Sequence, residues 1–509
     1  MPNQPTSLLR RYTARLGANL IGMVFNLINI SIVPRALGPA SYGNFEFLVS
    51  FFQETISFID TGTSTAFYNK LSRRNEDMGL LRTYGKFVVA VFFVLLGGLS
   101  VVWLGGWSNL LWPRQEWEFI LLAALVGYLA WVHEIFRKVI DAFGCTIRGE
   151  LALVIARALG AFAIVILFMG SWLSLATLFL KELFFYVIVI VSLAWITTLH
   201  WRRQFEARSY LSSDRSVISE LWVYSSPLLV YALVGVITGL GDRWLLQRFA
   251  GSQEQGFYGL SFRVAGVSFV FSSAMTQLIM REYSRAHGQE NTAEMRRLFR
   301  RYLPMLYAVA AYFAAFISIH AESVVWISGG ADYSAAGPTL MLMALYPVHQ
   351  TYGQMNGAFF LATERTVLYR NIGVIAMSGG LVATWFLLAP PNEGGIAAGS
   401  MGLALKMVLI QFVAVNVQLW FNLKYLGLRF GNFLAHQIAV VAGLLFMAWL
   451  SNRVVAFLNL SRVWTFIASG LTYTVLVGVC VVMVPAMVGI SRTELHNITR
   501  KLPLFKNGK

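Results

Sequence analysis

LFLKELFFYVIVIVSLAW (Leu178–Trp195) is an apolar run of helical length with one lysine, Lys181, inside it. A near-copy, LALKMVLIQFVAVNVQLW (Leu403–Trp420), carries Lys406 at the same place. In both, Leu-x-Leu-Lys is followed by tryptophan fourteen residues on. An ammonium inside a membrane span costs several kcal/mol unless it faces protein or water. One such lysine can be an accident that snorkels to the interface. Two at matching places imply a duplicated membrane protein with positive charge in its interior.

Composition agrees. Of 509 residues, 57% are hydrophobic and 13% charged, with mean hydropathy +0.62. Soluble domains carry about 25% charged residues. The long unbroken apolar runs point to helices, which satisfy their own backbone groups in lipid, and not to the alternating strands of a barrel. Cys145 and Cys480 are far apart, with no disulfide framework or metal spacing. The polar start with Arg10 and Arg11 leads into a first span read as uncleaved.

Fourteen stretches reach about the twenty residues that a bilayer needs, from 14–33 to 463–488. The eighth (256–280) and the tenth (335–361, interrupted by Pro347) are among them. With the N-terminus inside, roughly thirty of the forty basic residues fall in cytoplasmic connections or termini. These include Lys70, Arg82, Arg137, Lys138, Arg208, Arg285 and Arg300. About six fall outside, Arg114 and Arg243 among them. This bias places both termini in the cytoplasm. It also disperses the +16 net charge over all the inside loops, which removes support for a nucleic-acid partner. Four basic residues remain within spans: Arg157, Lys181, Arg263 and Lys406. No connection exceeds about twenty residues, so no loop is long enough for a catalytic domain.

The duplication extends beyond the lysines. LGPASYGNF (Leu37–Phe45) and AGSQEQGFYGLSF (Ala250–Phe262) both place Tyr-Gly at the entry to the next helix, 216 residues apart. DAFGCTIRGE (Asp141–Glu150) faces GAFFLATERT (Gly357–Thr366) at nearly the same offset. Six spans per copy give both copies one orientation, a parallel repeat whose halves rock around a shared site. The expected fold is therefore all-α: about fourteen transmembrane helices, in two six-helix repeats (1–200 and 201–430) plus an extra helix pair and basic cytoplasmic tail (431–509).

PRALGPASYGNF (Pro34–Phe45) and FIDTGTSTAFYNKLSRR (Phe58–Arg74) resemble the opening of Wzx-type polysaccharide flippases. GLGDRWLLQRFAGSQEQGFYGLSFRV (Gly239–Val264) resembles the start of their second half. These belong to the superfamily of multidrug, oligosaccharidyl-lipid and polysaccharide exporters. The resemblance implies export of undecaprenyl-pyrophosphate-linked oligosaccharide repeat units across the bacterial inner membrane, for O-antigen, exopolysaccharide or capsule. It implies as partners the lipid-linked cargo, membrane lipids, and a polysaccharide polymerase and chain-length regulator. Drug exporters of the superfamily usually have twelve spans, and some use an acid in helix 1, where this chain has none.

Each candidate residue carries two readings. Arg157, Lys181, Arg263 and Lys406 form a cationic cavity for pyrophosphate, a group that guanidinium forks suit. The alternatives are structural ion pairs or, for Lys181 at roughly 12 Å depth, snorkelling or pairing with Glu182. Glu54, near a span centre, either carries a coupling proton or neutralises an arginine. Asp60 serves in gating or at a helix end. His349, Gln350, Gln354 and Asn356 around Pro347 meet either sugar hydroxyls or neighbouring helices. Asp242 and Arg243 read as a local interface pair. His349 alone makes no metal site, and no phosphate-binding glycine loop with lysine-serine or lysine-threonine is present, so an ATPase engine is not expected. No cofactor is expected, and H+ or Na+ coupling is the expected energy source.

Overall fold

A computed structural model describes residues 8–74, 77–205, 213–226 and 229–489. The chain opens with α1 (Leu8–Asp60), α2 (Thr63–Arg73), α3 (Met78–Leu104), a single turn α4 (Ser108–Leu111), α5 (Trp117–Ala142), α6 (Thr146–Met169) and α7 (Leu175–Phe205). Next come α8 (Asp214–Ser225), α9 (Leu229–Phe249), α10 (Ser252–Gly266), α11 (Phe269–Gly288), α12 (Thr292–Ile319) and α13 (Ala321–Gly329). The remainder is α14 (Gly337–Met343), α15 (Tyr346–Ala362), α16 (Thr366–Leu388), α17 (Gly399–Leu426), α18 (Phe430–Ala456) and α19 (Arg462–Met483). No strand occurs among the described residues. The Arg208 segment and the expected basic tail lie outside them.

Among the described residues, eleven helices are long and apolar enough to cross a membrane. The longest holds two expected spans, because α1 is interrupted at Gly38. There φ is 72°, which glycine adopts without a Cβ penalty, and Pro39 follows. The eighth expected span is the broken pair α10–α11, and the tenth is α14–α15, parted just before Pro347. With α1 counted once, and no piece of the two broken pairs both long and apolar enough, eleven is reconciled with about fourteen. Large apolar side chains such as Phe93, Phe162, Ile375 and Trp464 are exposed on helix faces. In water such a surface would aggregate; in a bilayer it is the lipid-facing surface.

Two compact units emerge. The first runs to Gly256 and adds Leu388–Ala397; the second starts at Phe257 and resumes at Ala398. In the first, α1 packs against α5, α6 and α9. Small residues permit this: a methyl group on Gly127 of α5 would lie 2.9 Å from Phe52 Cβ of α1. The repeat-related turns also meet within this unit. A methyl group on Gly43 would sit 1.8 Å from the Ser252 carbonyl oxygen, and one on Gly256 2.1 Å from that of Pro39. Gln115 Nε2 donates to Asn44 Oδ1 (2.8 Å), and Gln247 Nε2 donates to the Pro113 carbonyl (3.2 Å) beside these turns.

At the other end of the unit, α8 is tethered to α2 and α3. Glu220 accepts from Lys70 and also pairs with Arg74 (3.5 Å). Asp214 accepts from Thr83 and pairs with Lys86. The hydrogen bonds from Lys86 and Lys70 hold the Asp214 and Glu220 carboxyls below their ordinary range. Depressed folded values mean that the tethers are present at neutral pH and are lost only on acidification below roughly pH 4.

In the second unit α12, α15, α17 and α18 pack together. Ala308, Ala311, Ala314 and Ala315 give α12 a buried small-residue stripe, which lets backbones approach in lipid. Tyr283, Phe299 and Phe359 lock edge-to-face with centroids 5.2 and 5.5 Å apart.

Gly43→Ala should destabilise the protein by about 1–3 kcal/mol through overpacking against fixed backbone. Gly97→Ala, with open space around it, should not. Thermal unfolding of the detergent-solubilised protein checks this, and equal melting temperatures would refute the close approach.

Candidate functional site

In the first unit, Gln53, Ser57 and Asp60 share one face of α1, at i, i+4 and i+7. Gly127, Ala130, Trp131, Glu134 and Lys138 share one face of α5 by the same periodicity. With Ser64 of α2, these faces enclose a polar cavity of about 300 Å³.

Asp60 ends α1 and caps α2. Its Oδ1 accepts from Thr63 Oγ1 (2.7 Å) and from the Ser64 amide (2.8 Å). Its Oδ2 accepts from Ser64 Oγ (2.6 Å). The Thr61-Gly62 turn between the helices makes room for this, with Gly62 at φ 79°. Lys138 Nζ donates to the same Ser64 hydroxyl at 2.6 Å, so ammonium, hydroxyl and carboxylate form one chain.

Beside the cavity lies an ion cluster. Arg137 donates to Glu134 (3.0 Å) and to Glu150 of α6 (3.3 Å), and Glu150 is 6% exposed. Arg157, two turns along α6, interacts electrostatically with Arg137, Glu150 and Glu134. Its guanidinium fills the space over Gly22 of α1, where a methyl group would fall 2.2 Å from Nη1. His133 is buried against Tyr186 of α7, 5.9 Å between centroids. Arg137, Lys138 and Arg157 are balanced by Asp60, Glu134 and Glu150.

On hydropathy, Arg137 and Lys138 fall in a cytoplasmic connection. The helix instead runs on to Ala142 and draws both into the bundle, leaving Arg137 only 21% exposed. The face shared by Gly127, Ala130, Trp131, Glu134 and Lys138 was the signal available for Lys138; Arg137 lies off that face. Glu54 turns to α9: its carboxyl carbon lies 3.2 Å from where a Gly239 methyl group would sit, and it interacts electrostatically with Arg243. Arg243 thus faces α1, beyond the local interface role read for it, and its Nη1 donates to Gln255 (3.1 Å).

Lys181 does not line this cavity. It lies in an apolar groove of about 480 Å³ between α6 and α7. Its Nζ pairs with Glu182 Oε1 at 2.8 Å and stands 5.9 Å from the Phe185 ring centroid. Its stem rests on Gly160 of α6. Lys406, 4% exposed, repeats the arrangement in the second unit by resting on Gly380 of α16, 3.1 Å from Cε to the position of an added methyl. Each in-span lysine therefore lies over a glycine of the preceding span.

Also in the second unit, Arg263 is exposed in the last turn of α10. The polar residues of α15 meet neighbouring helices. Asn356 donates to the Val415 carbonyl (3.2 Å) and accepts from Asn422 (3.2 Å). Gln350 bonds Gln411, and Gln354 accepts from Thr276 (3.5 Å). His349 packs on Phe412, 5.0 Å between centroids. Among the described residues no cluster of His, Cys, Asp and Glu forms a metal site.

A family described as "Polysaccharide biosynthesis protein" matches residues 8–279. No curated protein matches this sequence. Among solved structures, the fold is similar to the lipid II flippase MurJ in an inward closed conformation: TM-score 0.66, 12% identity, covering 93% of this chain and 99% of that one. It is similar to an inward-facing multidrug resistance MATE family transporter of the MOP superfamily: TM-score 0.61, 14% identity, covering 82% and 98%. A MOP superfamily transporter from Pyrococcus furiosus matches with TM-score 0.54 and 14% identity, covering 82% and 95%. At these identities the likeness is one of fold.

Gly22→Ala should displace the Arg157 guanidinium and cost about 1–3 kcal/mol. Combined with Arg157→Ala, the losses should be less than additive, because both changes act on one contact. Additive shifts in melting temperature would mean that the two residues do not meet.

Proposed function

We propose that this chain, which belongs to the polysaccharide biosynthesis protein family, is a flippase for undecaprenyl-pyrophosphate-linked oligosaccharide repeat units. It is a multi-pass membrane protein of transporter fold. In this reading it resides in the bacterial inner membrane with both termini cytoplasmic, moves its cargo by alternating access and performs no chemistry on it. It works beside a polysaccharide polymerase and a chain-length regulator in O-antigen or exopolysaccharide assembly.

The observation that carries the reading is the polar cavity with Lys138 on its wall and Arg137 and Arg157 beside it. An ammonium and two guanidinium groups suit a pyrophosphate, whose oxygens accept charge-assisted hydrogen bonds. In this reading Lys181, Arg263 and Lys406 supply further positive charge, Gln350 and Gln354 contact sugar hydroxyls, and Glu54 and Asp60 gate or couple.

Charge balance adds a requirement. The cluster is neutral as it stands, so an entering dianion must displace carboxylates from their partners. A cation taken up with the cargo, H+ or Na+, relieves the resulting excess of negative charge in a low-dielectric bundle. The second reading is a small-molecule exporter, favoured by the coverage of the MATE transporter fold. It fits a chain of this length less well, because that fold covers 82% of the chain against 93% for the MurJ fold.

Deletion of the gene should cause undecaprenyl-linked intermediates to accumulate, as read by mass spectrometry of extracted lipids. Complementation with Lys138→Ala/Arg157→Ala should leave them accumulated while membrane insertion is normal. Deletion that leaves lipid intermediates unchanged but sensitises cells to cationic drugs would favour the exporter. Lys181→Ala with Lys406→Ala should abolish surface polysaccharide without loss of inserted protein; normal export would remove both lysines from the path.

A further inference from the structure

The second unit holds a polar cluster that the cargo site does not use. Tyr307 of α12 is fully buried at its centre. Its ring meets Tyr352 of α15 edge-on at 4.7 Å, with His349 at 6.4 Å and His436 of α18 at 6.3 Å between centroids. Tyr352 is also fully buried. Three atoms here are buried without a hydrogen-bond partner among the described residues: Oη of Tyr307 and Nδ1 of His349 and His436. The Tyr352 hydroxyl lies against the Gln437 amide. Gln437 and Asn416 bond each other reciprocally (2.9 and 3.3 Å), and Gln350 bonds Gln411.

An orphaned buried donor or acceptor bears the full desolvation cost of the group, and folded proteins carry few of them. Three in one place call for a polar occupant, and internal water fills this role in protein interiors. The tautomer of His436 follows from its neighbour. The Met487 carbonyl, 3.0 Å from Nε2, can only accept, so Nε2 carries the hydrogen. In the neutral ring Nδ1 then holds the lone pair, and Nδ1 is the unpartnered atom.

We propose that Tyr307, His349, Tyr352 and His436 hold a small internal water cluster that relays a proton between the two imidazole Nδ1 atoms. Starting from cationic His436, its Nδ1–H bond breaks as an O–H bond forms on bound water. A proton of that water passes on by way of the Tyr307 hydroxyl, and an N–H bond forms at His349 Nδ1. Each oxygen gains one proton and loses one. His436 ends neutral and His349 cationic, so one positive charge has moved. The titratable groups facing the cluster are Tyr307 from α12, His349 and Tyr352 from α15, and His436 from α18. From α17 comes Phe412, while Lys406 of that helix rests on Gly380. Tyr283 of α11 is turned to Phe299 and Phe359. In the export reading, on which its purpose but not its chemistry rests, the relay supplies the coupled ion.

The test is solid-state NMR of the full chain in lipid bilayers, labelled with 15N-histidine. The seven histidines are resolved, and two of them assigned, with His349→Gln and His436→Gln. Magnetisation transfer from water protons should reach Nδ1 of both residues. His436→Gln should shift the titration midpoint of His349. Tyr307→Phe, which keeps the ring and its packing, should abolish that dependence and reduce the water signal at His349. A dry cluster, or two histidines that titrate independently in the wild-type chain, would overturn the relay and leave the cargo reading standing. Intact coupling alongside normal clearance of lipid-linked intermediates after gene deletion would keep the relay and overturn the cargo reading.

Discussion

Placing ions inside a helical bundle that faces lipid is the constraint on which the rest depends. A charged side chain there needs a counter-ion, a hydrogen-bonding hydroxyl or a gap in the neighbouring helix that admits its stem. All three solutions appear in the first unit. Arg137 lies between Glu134 and Glu150, and Lys138 bonds Ser64, which bonds Asp60. Arg157 occupies the space over Gly22, and Lys181 pairs with Glu182 over Gly160. The same demand explains why the bundle is built with so many small residues where charges lie. A side chain at Gly22, Gly160 or Gly380 would occupy the volume that the cationic stem uses.

Balanced ion clusters serve a transporter well for a physical reason. A net cationic pocket would bind a dianion tightly and release it slowly. A pocket whose cations are already paired exchanges one set of anions for another, so the free-energy change on binding is the difference between two similar quantities. Asp60 has a second task in the same place. It caps α2 while sharing Ser64 with Lys138, so the α1–α2 junction and the charge state of the cavity are mechanically linked.

The two units solve the problem of buried polarity differently. The first uses ions; around α15 the second uses neutral amides, tyrosines and imidazoles. Gln350–Gln411 and Asn356–Asn422 stitch α15 to α17. Such pairs hold a helix broken before Pro347 in a defined register, since each amide left unbonded would bear its full desolvation cost.

How much of this was legible follows from the range of each interaction. Hydropathy length and the placement of arginine and lysine between apolar runs are properties of single helices or their ends, so the all-helical membrane fold could be read directly. The break at Gly38 before Pro39 and the break before Pro347 were visible in the same way, because glycine and proline act on their own backbone. Partner choice was not legible. Arg137 and Lys138 sit at the end of a hydropathy window, and only the packing of α5 against α1, α2 and α6 shows them drawn inward to Glu150 and Ser64. The adjacent Glu182 could be named as a partner for Lys181 from the sequence, but nothing local distinguishes Arg243 as a neighbour of Glu54. Nor does sequence reveal that Gly160 and Gly380 receive the two lysines, since a glycine's use depends on what the facing helix places over it. The sequence by itself determined which elements form and roughly where charge enters the membrane. Only the tertiary structure decided which charge meets which, because that depends on helix rotation and spacing between residues far apart in the chain.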